Sequence, residues 1–419
     1  MFKSKNIQKS QICPQFRLRY RRYVVFLISY KNHRHEICHI QLIYDENLRG
    51  CFRGKQSPLK NTHNSNLKSS ILCYLRSLMN KELETKPGGR QVVLSGVRPT
   101  GNLHLGNYFG ALRNYVKMQE EYECYFFIAD QHSLTTHPDT KELRENVLHV
   151  VSEYIASGLD PQKVALYCQS DLHETAELYL YLNMMAYKGE LEKTTTFKDK
   201  VRQQPDNVNA GLLTYPVLMA SDILIHRAAL VPVGKDQEQH LEMTRNFAQR
   251  FNHRYGMVFP EPKAFNFGSE LLKVPSLDGA GKMSKSENQN ATIYLADDDD
   301  MLRKKIMKAK TDQGPTEPNS PKPDYIVNIF DLMKLVSQQE VIDKFEADYN
   351  NCNIRYGDMK KQLAEDMVAY ITPIRQKAKD IRENESYLKK VLAGGAAKAN
   401  VNANKTMQLV REAMGLKYF

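Results

Sequence analysis

The chain has 419 residues, 42% of them hydrophobic and 26% charged, with a formal net charge of +11 and no tryptophan. That length suits two or three domains with ordinary buried cores. Residues 1–87 carry 17 Lys and Arg against 5 Asp and Glu, a net of +12 that leaves the rest of the chain at −1, which excludes a uniformly basic folded part and confines any polyanion contact there to a local patch.

Residues 1–88 read as a basic extension, with no acid before Glu36 and a wealth of Arg, Lys, Ser and Asn. Without a sustained helical or strand period it is expected to be disordered, and its composition is that of an organellar targeting segment. The apolar run Tyr23 to Ser29 follows Arg17, Arg19, Arg21 and Arg22. It is too short to span a bilayer but suits the core of a signal peptide ahead of a basic transit peptide. A two-part leader of that kind points to a secondary plastid, and a one-part leader to a mitochondrion. An appended RNA-binding arm is the competing reading. No stretch is a transmembrane candidate, so no membrane partner is expected. Cys13, Cys38, Cys51 and Cys73 fall in the extension, and Cys124, Cys168 and Cys352 are scattered. No pair has metal-site spacing, so no metal centre or disulfide is expected.

From about Arg90, apolar strand-like runs at 92–94, 124–129 and 164–168 alternate with helical patterns around 112–121, 141–157 and 178–187. This predicts an α/β fold with a doubly wound parallel sheet, whose ligands bind beyond the carboxyl ends of the strands. At the first such end stands Ser95 to Asn107, a glycine-rich junction between strand and helix. Backbone N–H groups there lack intrahelical partners and suit an anion. Gly106 allows close approach of a ring or phosphate, and His104 and Asn107 add polar side chains. A surface turn is the plain alternative. The segment 130–135, with His132, lies at another strand end.

Tyr215, Met219 and Asp222 fall at i, i+4 and i+7 of an apolar helix, on one face. A carboxylate in such a segment needs a partner; Asp222 either pairs with Arg227 or accepts a hydrogen bond from a ligand N–H. Residues 230–240 then run from a short strand into a helix over 241–251, with Gly234 at the bend and Asp236 suited to cap it, while Gln237 has no such local role. The loop 277–288 carries Lys282 and Lys285, with Gly279 and Gly281 to let it move. Two ammonium groups closing over a polyphosphate make chemical sense, at about 4 kcal/mol per charge pair at 4 Å near a surface. Residues 311–325 hold four prolines and read as an exposed loop. Beyond them the pattern is helical, with a kink expected at Pro373 and a stop at Gly394-Gly395. Arg375, Lys377, Lys379, Arg382, Lys389 and Lys390 give these helices a basic side suited to a phosphate backbone.

Together these motifs resemble the class I aminoacyl-tRNA synthetases, and within them the bacterial-type tryptophanyl-tRNA synthetases. His104-Leu-Gly-Asn107 stands at the family's first signature, and Lys282-Met-Ser-Lys-Ser286 matches the second letter for letter. Residues 219–224 and 231–241 resemble the tryptophan family rather than its tyrosyl sister. The likeness runs from about Gln91 to the C-terminus. It implies a Rossmann-type catalytic domain over 89–290 and an α-helical anticodon-binding domain over 291–419, part of which packs back on the first.

The resemblance also implies roles. Asp222 would take the indole N–H, with Met219, Val231 and Val233 packing the ring. Tyr215 and Gln237 would hold the amino group, with His132 and Gly96 lining the pocket and Arg98 beside it. Gly106 and Met283 would serve ATP, with Gly234 and Asp236 near the ribose. His104, Asn107, Lys200, Lys282, Ser284 and Lys285 would act on the phosphates. Arg98 stands where many relatives have Gln, and Lys235 where some have an acid. The implied substrates are ATP with Mg²⁺, L-tryptophan and tRNA(Trp), and the implied assembly is a homodimer. A tyrosyl-tRNA synthetase and an inactive, RNA-binding relative of the synthetases are the alternatives.

Overall fold

The computed structural model describes residues 89–418 apart from 235–236, 266–273, 280 and 284–287, together with the backbone of three strands within residues 14–44. The chain forms two compact units, residues 1–68 and 69–419.

In the first unit, β1 (Pro14–Tyr20), β2 (Tyr23–Asn32) and β3 (His35–Tyr44) pair antiparallel in sequence order, with Tyr20 opposite Tyr23 and Asn32 opposite His35. These strands lie within the stretch 1–88 that the sequence reading expects to be disordered. An alternation is present in the sequence, Phe16, Leu18 and Tyr20 between Gln15, Arg17 and Arg19, and a period of two suits a strand. The dense basic charge hides it from a reading by composition. The rest of residues 1–88 lies outside the described residues.

In the second unit, β4 (Val92–Val97), β5 (Glu123–Ile128), β6 (Ala165–Cys168), β7 (Leu230–Pro232) and β8 (Lys263–Phe265) form one parallel sheet in the order β6-β5-β4-β7-β8. The strand order reverses between β4 and β7, which makes their carboxyl ends the natural ligand crevice. Side chains of β5 divide by parity. Cys124, Phe126 and Ile128 enter one apolar core, and Tyr125 and Phe127 the other. Burial on both faces explains why the strand reads as a continuous apolar run.

The helix Thr140–Ala156 serves the first core, and the helices His173–Asn183, Ala210–Ile225 and Glu238–Tyr255 the second. Both long C-terminal helices, Tyr356–Glu383 and Glu385–Met414, contribute to these same cores. The first runs unbroken through Pro373. The second corrects the expected stop at Gly394-Gly395, because it continues through both glycines. Leu388 and Val391 lie in the first core, and Ala396, Ala399, Ala403, Met407 and Val410 in the second. The helix therefore crosses the edge of the sheet at β6. There a Cβ on Gly395 would stand 1.9 Å from the Leu166 carbonyl oxygen, so the glycine marks a close backbone approach rather than an end. Lys398 fastens the crossing by donating to the carbonyls of Pro161, Gln162 and Val164 at 2.8, 2.9 and 3.1 Å. Covering an edge strand in this way keeps its backbone from pairing with another chain.

Candidate active site

A cavity of about 290 Å³ opens at the carboxyl ends of β4 and β7, at the small end of the range for ligand pockets. Tyr215, Met219 and Asp222 line it from one helical face, Gly96 and Arg98 from the end of β4, Val231, Val233 and Gly234 from the end of β7, and His132 and Gln237 from the two adjoining turns. The structure thus brings together all the described residues that the sequence assigns to an amino-acid pocket. Gly96 allows the aromatic floor, since a Cβ there would stand 2.3 Å from the Phe127 ring.

Asp222 is 4% exposed, and its partners are His132 and Gln169, which resolves the choice left open with Arg227. His132 Nε2 lies 2.9 Å from Oδ2, and Gln169 Nε2 donates to Oδ1 and Oδ2 at 2.9 and 3.0 Å. Gln169 in turn accepts the His132 backbone N–H at 3.2 Å, which fixes its amide the right way round. Burial raises the Asp222 pKa, and the His132 and Gln169 bonds hold it back. Each carboxylate oxygen can accept two hydrogen bonds, so the pair keeps capacity for a ligand N–H.

Around the mouth, the His132 and Tyr215 rings meet at 4.5 Å, and Lys200 Nζ lies 5.5 Å from the Tyr215 ring centre. Burial lowers the Lys200 pKa, and the nearby Arg98 charge lowers it further. Gln237 Oε1 lies 3.0 Å from His240 Nδ1. Beneath the pocket, His226 bridges the Tyr167 hydroxyl at 2.8 Å and Asn402 of the last helix at 3.1 Å. Burial pushes its pKa down to about 4, so this link to the C-terminal helix is made by a neutral imidazole.

The second half of the site joins the two signatures. Asn107 N–H donates to His104 Nδ1 at 3.3 Å and His104 N–H to Asn107 Oδ1 at 3.2 Å, so the two side chains cap the helical turn reciprocally. A Cβ on Gly106 would stand 2.8 Å from the His104 ring and 3.4 Å from the Met283 carbonyl, which leaves room only for glycine between the signatures. A π-helical turn, Tyr108–Leu112, follows at once. Met283 is buried, donates its N–H to the Val274 carbonyl at 2.8 Å and accepts the Ile293 N–H at sulfur at 3.3 Å. Ile293 accepts the Leu105 N–H at 3.0 Å, and Leu103 accepts that of Leu295 at 2.9 Å. Lys282 is exposed on this anchored loop, in a β-bridge with Pro275, and Gly279 and Gly281 hold φ of +82° and +89°. Lys235, Asp236, Ser284 and Lys285 lie outside the described residues.

Of the basic C-terminal side chains, Arg375 is taken up by Asp299 at 2.5 Å and Arg382 by Glu145 at 2.6 Å. Lys377, Lys379, Lys389 and Lys390 are exposed. Sequence reading did not single out Gln169, which holds Asp222, or Tyr115, which lines the pocket. Gln169 follows directly on β6, and its place at the carboxyl end of a parallel strand was a usable signal. Tyr115, whose hydroxyl meets Ser95 Oγ at 2.8 Å, is indistinguishable in sequence from an ordinary core aromatic.

Among known proteins, the family described as tRNA synthetases class I (W and Y) matches residues 86–372. The tryptophan--tRNA ligase of Porphyromonas gingivalis is 57% identical over 328 residues, 78% of this chain and all of that protein. That of Clostridium tetani is 40% identical over 329 residues, 78% of this chain and 96% of that protein. The tryptophanyl-tRNA synthetase of Campylobacter jejuni, solved with ADP and tryptophan, superposes with a TM-score of 0.71 at 37% identity, covering 78% of this chain and all of that one. On the pocket at the strand crossover, the two interlocked signatures and these matches, the chain belongs to the class I tRNA synthetases of the tryptophan and tyrosine family.

Proposed function

We propose that this protein activates L-tryptophan with ATP to tryptophanyl-adenylate and transfers the acyl group to tRNA(Trp). The observation that carries this reading is Asp222, a buried carboxylate aimed into an aromatic-sized cavity and oriented by His132 and Gln169. An indole N–H satisfies it. Phenylalanine, which lacks a donor, would leave that remaining acceptor capacity unfilled, and a site built around such a hydrogen bond rejects the analogue without it by roughly 10⁴-fold or more. Met219, Val231 and Val233 pack the ring, Tyr215 and Gln237 hold the amino group, and Gly96 and Arg98 border the carboxylate.

His104, Asn107, Lys200, Lys282, Ser284 and Lys285 receive the phosphates, with Gly106 and Met283 under the nucleotide and Gly234 and Asp236 beside the ribose. Mg²⁺ arrives on the ATP phosphates as part of the substrate. The tryptophan carboxylate attacks the α-phosphorus in line, forming the mixed anhydride as the bond to pyrophosphate breaks. A carboxylate is already a nucleophile at neutral pH, so catalysis here is positioning and charge stabilisation. The exposed Lys377, Lys379, Lys389 and Lys390 suit the tRNA backbone. The exposed Leu180, Met184 and Tyr187 suit a subunit contact, consistent with a homodimer. Residues 1–88 act as a basic leader to a mitochondrion or plastid, supported by their charge and by a family match that begins at residue 86.

The test pairs two measurements. Tryptophan added to a chain without any is the sole indole, so its selectively excited emission reports the pocket, and tryptophan-dependent pyrophosphate exchange reports the chemistry. Spectral change with exchange is expected. Tyrosine-dependent exchange would move the assignment to the sister enzyme, and no exchange with any amino acid would leave an RNA-binding relative. Lys285→Ala is expected to lose about 3 kcal/mol of transition-state stabilisation with tryptophan binding intact, the scale of one removed charge-stabilising donor.

A further inference from the structure

Glu153 is a carboxylate that this chemistry does not use, yet at 1% exposure it is the most deeply buried acid among the described residues. It stands in the last turn of the helix Thr140–Ala156, and its Oε2 accepts the backbone N–H of Leu103 at 3.0 Å, fifty residues away in sequence. Leu103 immediately precedes His104. With its carbonyl held by Leu295, both of its backbone groups are fixed, one by this helix and one by the segment Ile293–Leu295, which also grips Met283.

The other carboxylate oxygen lies 3.1 Å from His149 Nε2, one helical turn earlier, in a close contact that is not a hydrogen bond. His149 Nδ1 in turn lies 3.0 Å from Arg382 Nη1, on the long helix Tyr356–Glu383. A guanidinium offers only donors, so Nδ1 accepts. Arg382 also donates to Glu145 at 2.6 Å. A line of polar groups therefore runs from the C-terminal helices to the backbone of the first signature. A buried carboxylate persists only where its partners repay the lost hydration, and here the best-made bond goes to the signature loop.

We propose that Glu153 is a positioning residue for the adenylation site, holding the Leu103 N–H so that His104 keeps its place over Gly106, with His149 and Arg382 orienting the carboxylate from the C-terminal helices. The proposal rests on the adenylation reading above.

The experiment measures pyrophosphate exchange with the full chain, normalised to active sites by the burst of tryptophan-dependent ATP consumption. Glu153→Gln keeps an oxygen for the Leu103 N–H and retains most of the rate. Glu153→Ala loses about 10- to 100-fold in kcat, the scale of a reacting group displaced by an ångström. Its KM for ATP rises, and its KM for tryptophan stays at the wild-type value. Arg382→Met, at a side chain 41% exposed, folds and shows the same split at smaller amplitude, and it carries the test alone if Glu153→Ala does not fold. A loss of active sites with unchanged kinetics per site overturns the proposal. So does an equal shift in both KM values, or a wild-type ATP KM and kcat in Arg382→Met. If the wild-type chain shows no tryptophan-dependent exchange, the functional reading fails instead. Direct ATP binding then decides for Glu153, with weaker binding in the variants supporting it and unchanged binding overturning it.

Discussion

Replacing Asp222 by Asn changes two atoms and tests the whole logic of the amino-acid pocket. In the native protein both carboxylate oxygens face donors, His132 Nε2 and Gln169 Nε2. An asparagine keeps one acceptor and turns the other into a donor, so one of those contacts becomes donor against donor. Gln169 cannot flip to repair it, because its oxygen is already held by the His132 backbone N–H. The ligand N–H meanwhile loses a charged acceptor, a bond worth about 1.5–3 kcal/mol, and the frustrated buried donor costs a further 1–3 kcal/mol or so. Some of that second cost is present without ligand, so a rise of roughly 10- to 100-fold in the tryptophan Kd is expected, at 1.4 kcal/mol per factor of ten. The expected pattern is a large loss of affinity by indole fluorescence titration with a near-unchanged ATP KM. A tryptophan Kd within about twofold of wild type, well under the tenfold that 1.4 kcal/mol produces, would refute the reasoning.

Two further substitutions probe the crossing at the sheet edge. Gly395→Ala places a methyl 1.9 Å from the Leu166 carbonyl oxygen, forcing the last helix off β6, and a loss of about 1–3 kcal/mol is expected in urea denaturation. Gly394→Ala meets nothing within 4 Å and should gain roughly 0.5–1 kcal/mol from helix propensity. Equal midpoints for the two variants would contradict this account. A pH effect is expected from Lys200. Burial lowers its pKa below 10.5, so its charge, and with it ATP affinity, is lost at a lower pH than for a solvated lysine. The KM for ATP should climb on the alkaline side below pH 10.5, and Lys200→Arg, which stays charged, should remove that climb. Stability runs the other way. Between the lowered pKa and 10.5 the unfolded chain binds more protons, so this residue's contribution to stability rises with pH.

Much of the catalytic machinery could be read locally. Turn chemistry at 95–107, a lysine-bearing glycine loop at 277–288 and the i, i+4, i+7 spacing of Tyr215, Met219 and Asp222 are properties of short segments, and the parallel sheet follows from alternating patterns of strand and helix. Where the sequence reading failed, a short-range rule met a long-range contact. Gly394-Gly395 has the composition of a helix stop, but a close approach to β6 gives Gly395 a different purpose.

The sequence by itself determined that this chain carries two class I signatures, an apolar helix with a carboxylate on the same face as Tyr215 and Met219, and a basic segment ahead of a near-neutral body. Only the tertiary structure decided which groups those residues meet. Asp222 takes His132 and Gln169 rather than Arg227, Met283 anchors its loop through Ile293, and Glu153 reaches Leu103 across fifty residues. Periodicity and turn propensity act over a few residues and leave their mark in any short window. The partner of a buried polar group is chosen by which strand ends and helix faces the whole fold brings within 3 Å, and no short window contains that information.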